Sequence, residues 1–330
     1  MAQKIQLAVV GATGAVGQQL LRALEEKDFP AQGLTLFASE KTQGVDVDYS
    51  GESLEVEQLS KEAFVGMSAV VLACPAEVAR PLALAAQQAG AWVVDPSGAF
   101  RTELQVPLVL GPDDPLLERP FAGRIVAVAT PASQAILAAL TPVQTTVGLL
   151  GVQVVAMFGA AHSGQRGLTA FEQQTAALLN ASDVDVTVFP HRLAFNLVPQ
   201  VGTFTAAHTS EEVALKLEVA RRLGPTPVSC TMLSAPFFHG TMLVISAQME
   251  RGFDADALRE QLKNVAGLKV LDEPAEGIYP MPMLVTADPS IHVGRIRVEG
   301  KSLQLVAALD NAGRAGDVAA SLAIKLASRA

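Results

Sequence analysis

The sequence predicts an α/β protein of two domains: a doubly wound parallel sheet, then an α+β domain with a mostly antiparallel sheet. Three observations carry this. Short apolar runs alternate with helix-forming segments through the first 130 residues, the pattern of parallel strands joined by right-handed crossovers. After residue 150 the apolar stretches lengthen and alternate with polar residues, as antiparallel strands do. Finally, 330 residues, half of them apolar and 17% charged, exceed what one hydrophobic core usually serves.

In chain order, KIQLAVV (4–10) reads as a buried strand, GATGAVG follows, and QQLLRALEEKDF sets Leu20, Leu21 and Leu24 at helical spacing. LTLFAS (34–39), AVVLAC (69–74) and AWVVDPSG (91–98) are further strands. A helix over VARPLALAAQQAG separates the last two, and RIVAVAT (124–130) closes the series. In the second half GVQVVAMFGAA (151–161), TMLSAPFF (231–238), TMLVISAQME (241–250) and GRIRVEG with SLQLVAALD (294–310) read as strands. Helices fit TAFEQQTAALLN (169–180), SEEVALKLEVARRLG (210–224) and DADALREQLKNVAG (254–267). The closing AGDVAASLAIKLASR is an apolar helix that needs burial. The expected division is therefore 1–130, with a C-terminal helix 312–330 packing back on it, and 131–311.

A net charge of −9 argues against non-specific nucleic-acid binding. No apolar run reaches the ~18 residues of a membrane span, and the N-terminus flows straight into a strand, so a cytoplasmic protein is expected. Two cysteines, Cys74 and Cys230, give neither a disulfide framework nor metal-ligand spacing, and no metal is expected.

Gly11, Gly14 and Gly17 lie between a strand and a helix, where a Rossmann-like loop holds a pyrophosphate on backbone N–H groups. Gly11, Thr13, Gly14, Ala15 and Val16 are the cofactor candidates. The GxxGxxG spacing departs from the strict fingerprint, and glycines serving only a tight strand–helix turn fit it as well. After the second strand, FASEKTQG offers Ser39, Lys41 and Thr42, suited to a 2′-phosphate, with Glu40 pointing the other way. The balance favours NADP over NAD.

Residues 126–137, VAVATPASQAIL, run from a strand through Thr130-Pro131 into a helix. A helix N-terminus stabilises negative charge, so this turn is an address for a nucleophile. The residue there is Ser133.

VVGATGAVG (9–17), LTLFASEKTQG (34–44), VVDPSGAFR (93–101), FEQQTAALLN (171–180), FPHRLAFNLVPQVG (189–202), HVGRIRVEG (292–300) and LDNAGRAGD (309–317) together resemble the aspartate-semialdehyde dehydrogenases. The likeness runs along nearly the whole chain. It implies a homodimer with an N-terminal NADP domain and a second domain for substrate and subunit contact. It also implies phosphate-dependent chemistry. A cysteine thiolate attacks the aldehyde, hydride passes to NADP, and phosphate releases the acyl group.

Carried over residue by residue, the resemblance is incomplete. The family's Asn-Pro-Asn-Cys matches Thr130, Pro131, Ala132 and Ser133, so serine stands at the nucleophile position. A thiol ionises near about 8.5, whereas an unassisted hydroxyl resembles water at roughly 15.7. The family's catalytic histidine matches Thr241 and its substrate-binding arginine Ser234. His239 lies two residues before Thr241, on the same side of an extended strand, and is a possible substitute base. The family's glutamine matches Ala160, its anion-binding lysine matches Ala214 with Lys216 two residues out of place, and a further asparagine matches Ala320. Arg101, Glu211 and Asn311 are retained, the first two at substrate or phosphate positions and the third at a cofactor position. The family's Ser-Ala-Gly-Gly loop is Leu72-Ala73-Cys74-Pro75, and proline removes a backbone donor.

Three functions remain open. The first is a catalytically silent, dimeric, NADP-binding homologue. The second is an oxidoreductase for another aldehyde, its site rebuilt around His162, His239 or Arg166 in and near HSGQRG (162–167). The third is a low-activity aspartate-semialdehyde dehydrogenase using Ser133.

Overall fold

The computed structural model describes residues 5–38, 44–60 and 62–329. It divides into two compact units, 1–130 with 315–330, and 131–314.

The first unit runs β1 (Leu7–Val10), α1 (Ala15–Glu26), β2 (Leu34–Phe37), β3 (Asp46–Tyr49), β4 (Glu52–Glu57), β5 (Ala69–Leu72), α2 (Ala76–Gln88), β6 (Trp92–Asp95), β7 (Leu108–Val109) and β8 (Ile125–Val128). The strands form one sheet in the order β3-β4-β2-β1-β5-β6-β8-β7, and only the β3–β4 pair is antiparallel. Chain order reverses at β1, which sits between β2 and β5. Ligands of such sheets bind beyond the carboxyl ends of the strands at this switch point.

Both faces of the sheet are covered. Leu7, Val9 and Leu36 pack with Leu20 and Leu24 of α1 and with Val318, Leu322 and Leu326 near the C-terminus. Ala8, Val10, Val70 and Leu72 pack with Ala79, Ala83 and Ala86 of α2. Strands buried on both sides read as unbroken apolar runs, which is why they stand out in the sequence. Close approach of the C-terminal helix to α1 depends on Gly316, where a Cβ would lie 2.5 Å from the Leu20 nitrogen.

The second unit runs α3 (Pro131–Thr146), β9 (Leu149–Phe158), α4 (Gly164–Leu179), β10 (Phe204–Thr205), β11 (His208–Thr209), α5 (Ser210–Leu223), β12 (Val228–Ser234), β13 (Thr241–Met249), α6 (Ala255–Lys263), β14 (Leu268–Val270), β15 (Ile291–Glu299) and β16 (Ser302–Leu309). It ends in the first residues of α7 (Asn311–Ala327). The main sheet has the order β12-β9-β13-β16-β15-β14. Its middle is antiparallel, while β12 and β14 join the edges as parallel partners of β9 and β15. Helix α3 packs on β9, β13 and β16.

Directly opposed strand residues share a face. Ala156, Leu243 and Ala307 form one buried row. On the other face Thr231, Val155, Val244 and Val306 form a row in register, with Val155 40% exposed.

Local chemistry fixes several joints of this unit. Thr209 caps α5 by accepting from the Glu212 nitrogen at 3.3 Å, and Glu212 accepts in return from the Thr209 nitrogen at 2.9 Å. The second Glu212 oxygen accepts from the Met232 nitrogen at 3.0 Å, which satisfies a donor on the outer edge of β12. One sequence expectation is corrected here. The strand expected over 231–238 stops at Ser234, because Pro236 lacks an N–H and the chain turns at Gly240, whose φ is +89°. HSGQRG covers the end of a 3-10 turn (Ala160–Ser163) and the start of α4.

Candidate active site

In the first unit the glycine loop is shaped by close approaches. Gly11 follows β1 at φ +86°, and a Cβ there would sit 2.2 Å from the Ala73 carbonyl oxygen. A Cβ on Gly17 would sit 2.2 Å from the Gly11 oxygen. Gly14 is the N-cap of α1 in an extended conformation, with no capping side chain and no acidic residue in the first turn. The N–H groups that a helix leaves unpaired at its start are thus open to an anion, with Gly14 and Ala15 exposed and Thr13 and Val16 half-buried beside them. These residues fit a dinucleotide pyrophosphate. Ser39 and Lys41 lie outside the described residues.

Pro75, past the end of β5, is the N-cap of α2, a place where a missing N–H breaks no helical bond. Arg101 donates from Nε to the Val128 carbonyl at 2.8 Å and from Nη2 to the Pro96 carbonyl. Its guanidinium therefore ties the loop after β6 to β8. Cys74 is half-buried, and burial with nearby Asp95 and Glu77 pushes its thiol up to about 11.

The second unit holds the remaining candidates. Ser133 lies in the first turn of α3 and is fully buried. Its neighbour Gln134 accepts from Nε of the buried Arg314 at 2.7 Å. Thr241 opens β13, also fully buried, and its Oγ1 accepts from Nδ2 of Asn311 at 2.7 Å. The same amide nitrogen lies 3.5 Å from Nδ1 of His162, while Oδ1 of Asn311 is buried without a hydrogen-bond partner. The His162 ring rests on Phe158, with centroids 4.5 Å apart. Desolvation by the surrounding protein pushes its pKa down to about 4. The ring keeps solvent contact, which limits the size of that shift but not its direction, so the imidazole is neutral at physiological pH.

His239 is elsewhere. Because β12 ends at Ser234, the histidine stands on the connecting loop and not on a strand beside Thr241. It lines an open pocket of about 540 Å³ that includes Phe171, Phe237 and Phe238. Ser234 donates from Oγ to the Gln200 carbonyl at 3.0 Å, and its backbone pairs with Val198. Glu211 is half-buried in the first turn of α5, and Lys216, one helical turn on, reaches His208 at 3.3 Å. Ala160 and Ala214, expected to match the family's glutamine and lysine, carry no polar side chain. Cys230 cannot act as a thiolate near neutral pH, since burial and then Glu212 push it up to about 12. Among the described residues no cluster of potential metal ligands occurs.

Sequence reasoning named His162 but not its pairing with Asn311, and it missed both the Arg314–Gln134 contact and the aromatic pocket. The adjacent Phe237-Phe238 before a glycine was the available signal for the pocket, since two neighbouring aromatics in a turn rarely both find a core.

Residues 6–113 match the semialdehyde dehydrogenase NAD binding domain, and residues 140–312 match the semialdehyde dehydrogenase dimerisation domain. An aspartate-semialdehyde dehydrogenase of Aquifex aeolicus is 30% identical over 298 residues, 88% of each chain. The USG-1 protein homolog of Azotobacter vinelandii is 34% identical over 321 residues, 94% of each chain. Among solved structures, aspartate semialdehyde dehydrogenase II of Vibrio cholerae, complexed with ASA, superposes with a TM-score of 0.91 at 25% identity, covering 99% of both chains. No helix among the described residues is long and apolar enough to cross a membrane.

Proposed function

The chain belongs to the semialdehyde dehydrogenase family, and from that premise we propose that it is a homodimeric, NADP-binding member silent in phosphate-dependent aldehyde oxidation. The observation that carries the reading is Thr241. At the position of the family's base stands a buried hydroxyl engaged by Asn311 at 2.7 Å, a structural link without a proton-accepting nitrogen. At the thiol position stands Ser133, a hydroxyl that needs an activating base to become a nucleophile, while the position matching the family's base holds Thr241. Ser234 replaces the substrate cation, and each lost charged hydrogen bond weakens anion binding by about 1.5–3 kcal/mol.

Cofactor binding asks less of side chains. The N–H groups of Ala15 and Val16, beyond the Gly14 nitrogen that donates to the Gly11 carbonyl, would hold the pyrophosphate, and a bound NADP would accept the hydride. The in-register row of exposed Thr231 and Val155 and half-buried Val244 supports the dimer, as a partly open sheet face in a segment matching a dimerisation domain. The absence of a long apolar helix among the described residues is compatible with a cytoplasmic setting.

A second reading, an oxidoreductase for a different aldehyde, is favoured by one observation: His162 brings a neutral imidazole to Asn311, beside Thr241. Single-turnover assays with aspartate semialdehyde, phosphate and NADP, together with NADPH fluorescence, separate the readings. NADPH binding without turnover is expected. Turnover that depends on Ser133 overturns silence, and turnover of other aldehydes that depends on His162 establishes the second reading.

A further inference from the structure

We propose that the aromatic pocket of the second unit receives Phe195 and Met283 from a second copy of this chain, a knob-into-pocket contact that anchors the homodimer. The inference rests on the dimer reading above and adds to it which side chains hold the copies together.

The pocket is built before any partner arrives. Its floor is the buried Phe171, which meets Phe238 edge-on with ring centroids 4.8 Å apart. Phe237 is seated so closely on Gly159 that a Cβ there would lie 2.7 Å from its ring. The loop carrying both aromatics is bonded to the turn after β9, with the Ala160 and Ala161 nitrogens donating to the Phe237 and Phe238 carbonyls at 2.8 Å each. What remains is an open, mainly apolar hollow of about 540 Å³.

The knobs stand on its rim. Phe195 and Met283 both line the hollow, yet they are 68% and 78% exposed. Phe195 is not a floppy side chain. Gln174 Oε1 accepts from the Leu193 and Ala194 nitrogens at 2.8 and 3.3 Å, and Phe195 itself is held at φ +57°. Phe195 is the third residue of a turn closed by the Asn196 nitrogen donating to the Leu193 carbonyl at 2.9 Å, and this turn presents its ring to water.

A two-fold interface needs one self-complementary patch, in which a projection and a cavity lie side by side. This rim has that form, and every residue named lies within 140–312, the segment matching a dimerisation domain.

The test is the association constant of the full chain by sedimentation and light scattering. Phe195→Asn and Met283→Gln are each expected to weaken the dimer by about 30-fold or more. Leu104→Asn, at an 83% exposed leucine of the first unit, should leave it unchanged. Asparagine takes left-handed backbone more readily than phenylalanine, so the Phe195→Asn chain should melt no lower as a monomer. Should that variant misfold, Met283→Gln carries the test, being on a short exposed turn. A wild-type dimer with both rim variants associating as tightly overturns this inference and leaves the dimer reading standing. A wild type that stays monomeric at high concentration overturns both.

Discussion

The phosphate loop of the first unit and the catalytic positions of the second make opposite demands on sequence. A loop that holds a pyrophosphate works through backbone N–H groups, so its requirements are steric. Gly11 and Gly17 must be glycine because atoms of the chain lie 2.2 Å from where a Cβ would be, while Thr13, Ala15 and Val16 are free to vary. The catalytic positions work through side-chain pKa values and charges, and a single exchange removes the chemistry while the fold persists. Thr241 fills its place, bonds Asn311 and keeps β13 in register with β9 and β16. Under the reading proposed above, this contrast is what would let one chain keep a dinucleotide architecture and lose a reaction.

The strongest way to break this comparison is to attack the loop. Gly11→Ala must relieve a 2.2 Å contact at a positive φ, and a destabilisation of about 2–4 kcal/mol is expected from strain and overpacking together. Thermal melts and NADPH titration on the same sample measure it. If the variant folds and binds NADPH as the parent does, the glycines serve the turn alone and the pyrophosphate reading fails.

Next in size is an attempt to rebuild the chemistry. Ser133→Cys restores a thiol but leaves Thr241 in place of a base, so little turnover of aspartate semialdehyde is expected. Adding Thr241→His should raise turnover by about 10²-fold or more over the single variant, the usual contribution of a positioned base. NADPH formation followed at 340 nm reads both. Equal rates for the single and double variants would mean that some other group, His162 foremost, already serves as the base.

A smaller effect probes the structural role of Thr241. Thr241→Val keeps the shape and removes the acceptor of the 2.7 Å bond from Asn311. Leaving that amide short of a partner is expected to cost about 1–3 kcal/mol in denaturant unfolding. A stability unchanged by the substitution would free Asn311 from its structural link and weaken the case for silence.

How much of this was legible in the sequence follows the same division. The doubly wound sheet was readable because its strands are buried on both faces and show as runs such as Leu7–Val10 and Ala69–Leu72. The hairpin β3–β4 was not, since Asp46, Asp48, Glu52, Glu55 and Glu57 give it the composition of a solvated loop, and an edge position lets it stay exposed. Glycines marked the tight turn between β1 and α1. The placing of His239 depended on where a strand stops, which was decided by Pro236 and the positive φ of Gly240 rather than by alternation. The pairing of His162 with Asn311 joins residues 149 apart, and no local pattern encodes it.

The finest test of the second unit is the charge state of that histidine. Desolvation pushes its folded pKa down from the ordinary 6.5 towards about 4, a shift that solvent contact of the ring reduces. Between those values the unfolded chain binds a proton that the folded imidazole refuses, so stability falls as pH drops through 6.5 towards 4 and levels off below. Above 6.5 both states are neutral and the contribution is complete. Solvent contact of the ring holds the effect to about 1 kcal/mol or less. Urea unfolding of the parent and of His162→Gln at pH 7 and pH 4.5 isolates it, because the substitution should flatten this part of the pH dependence. Identical slopes for the two proteins would mean that His162 protonates normally in the fold. It would then be a cation at mildly acidic pH, available to an anionic ligand, and the contrast between an intact backbone site and a neutralised side-chain site would have to be redrawn around it.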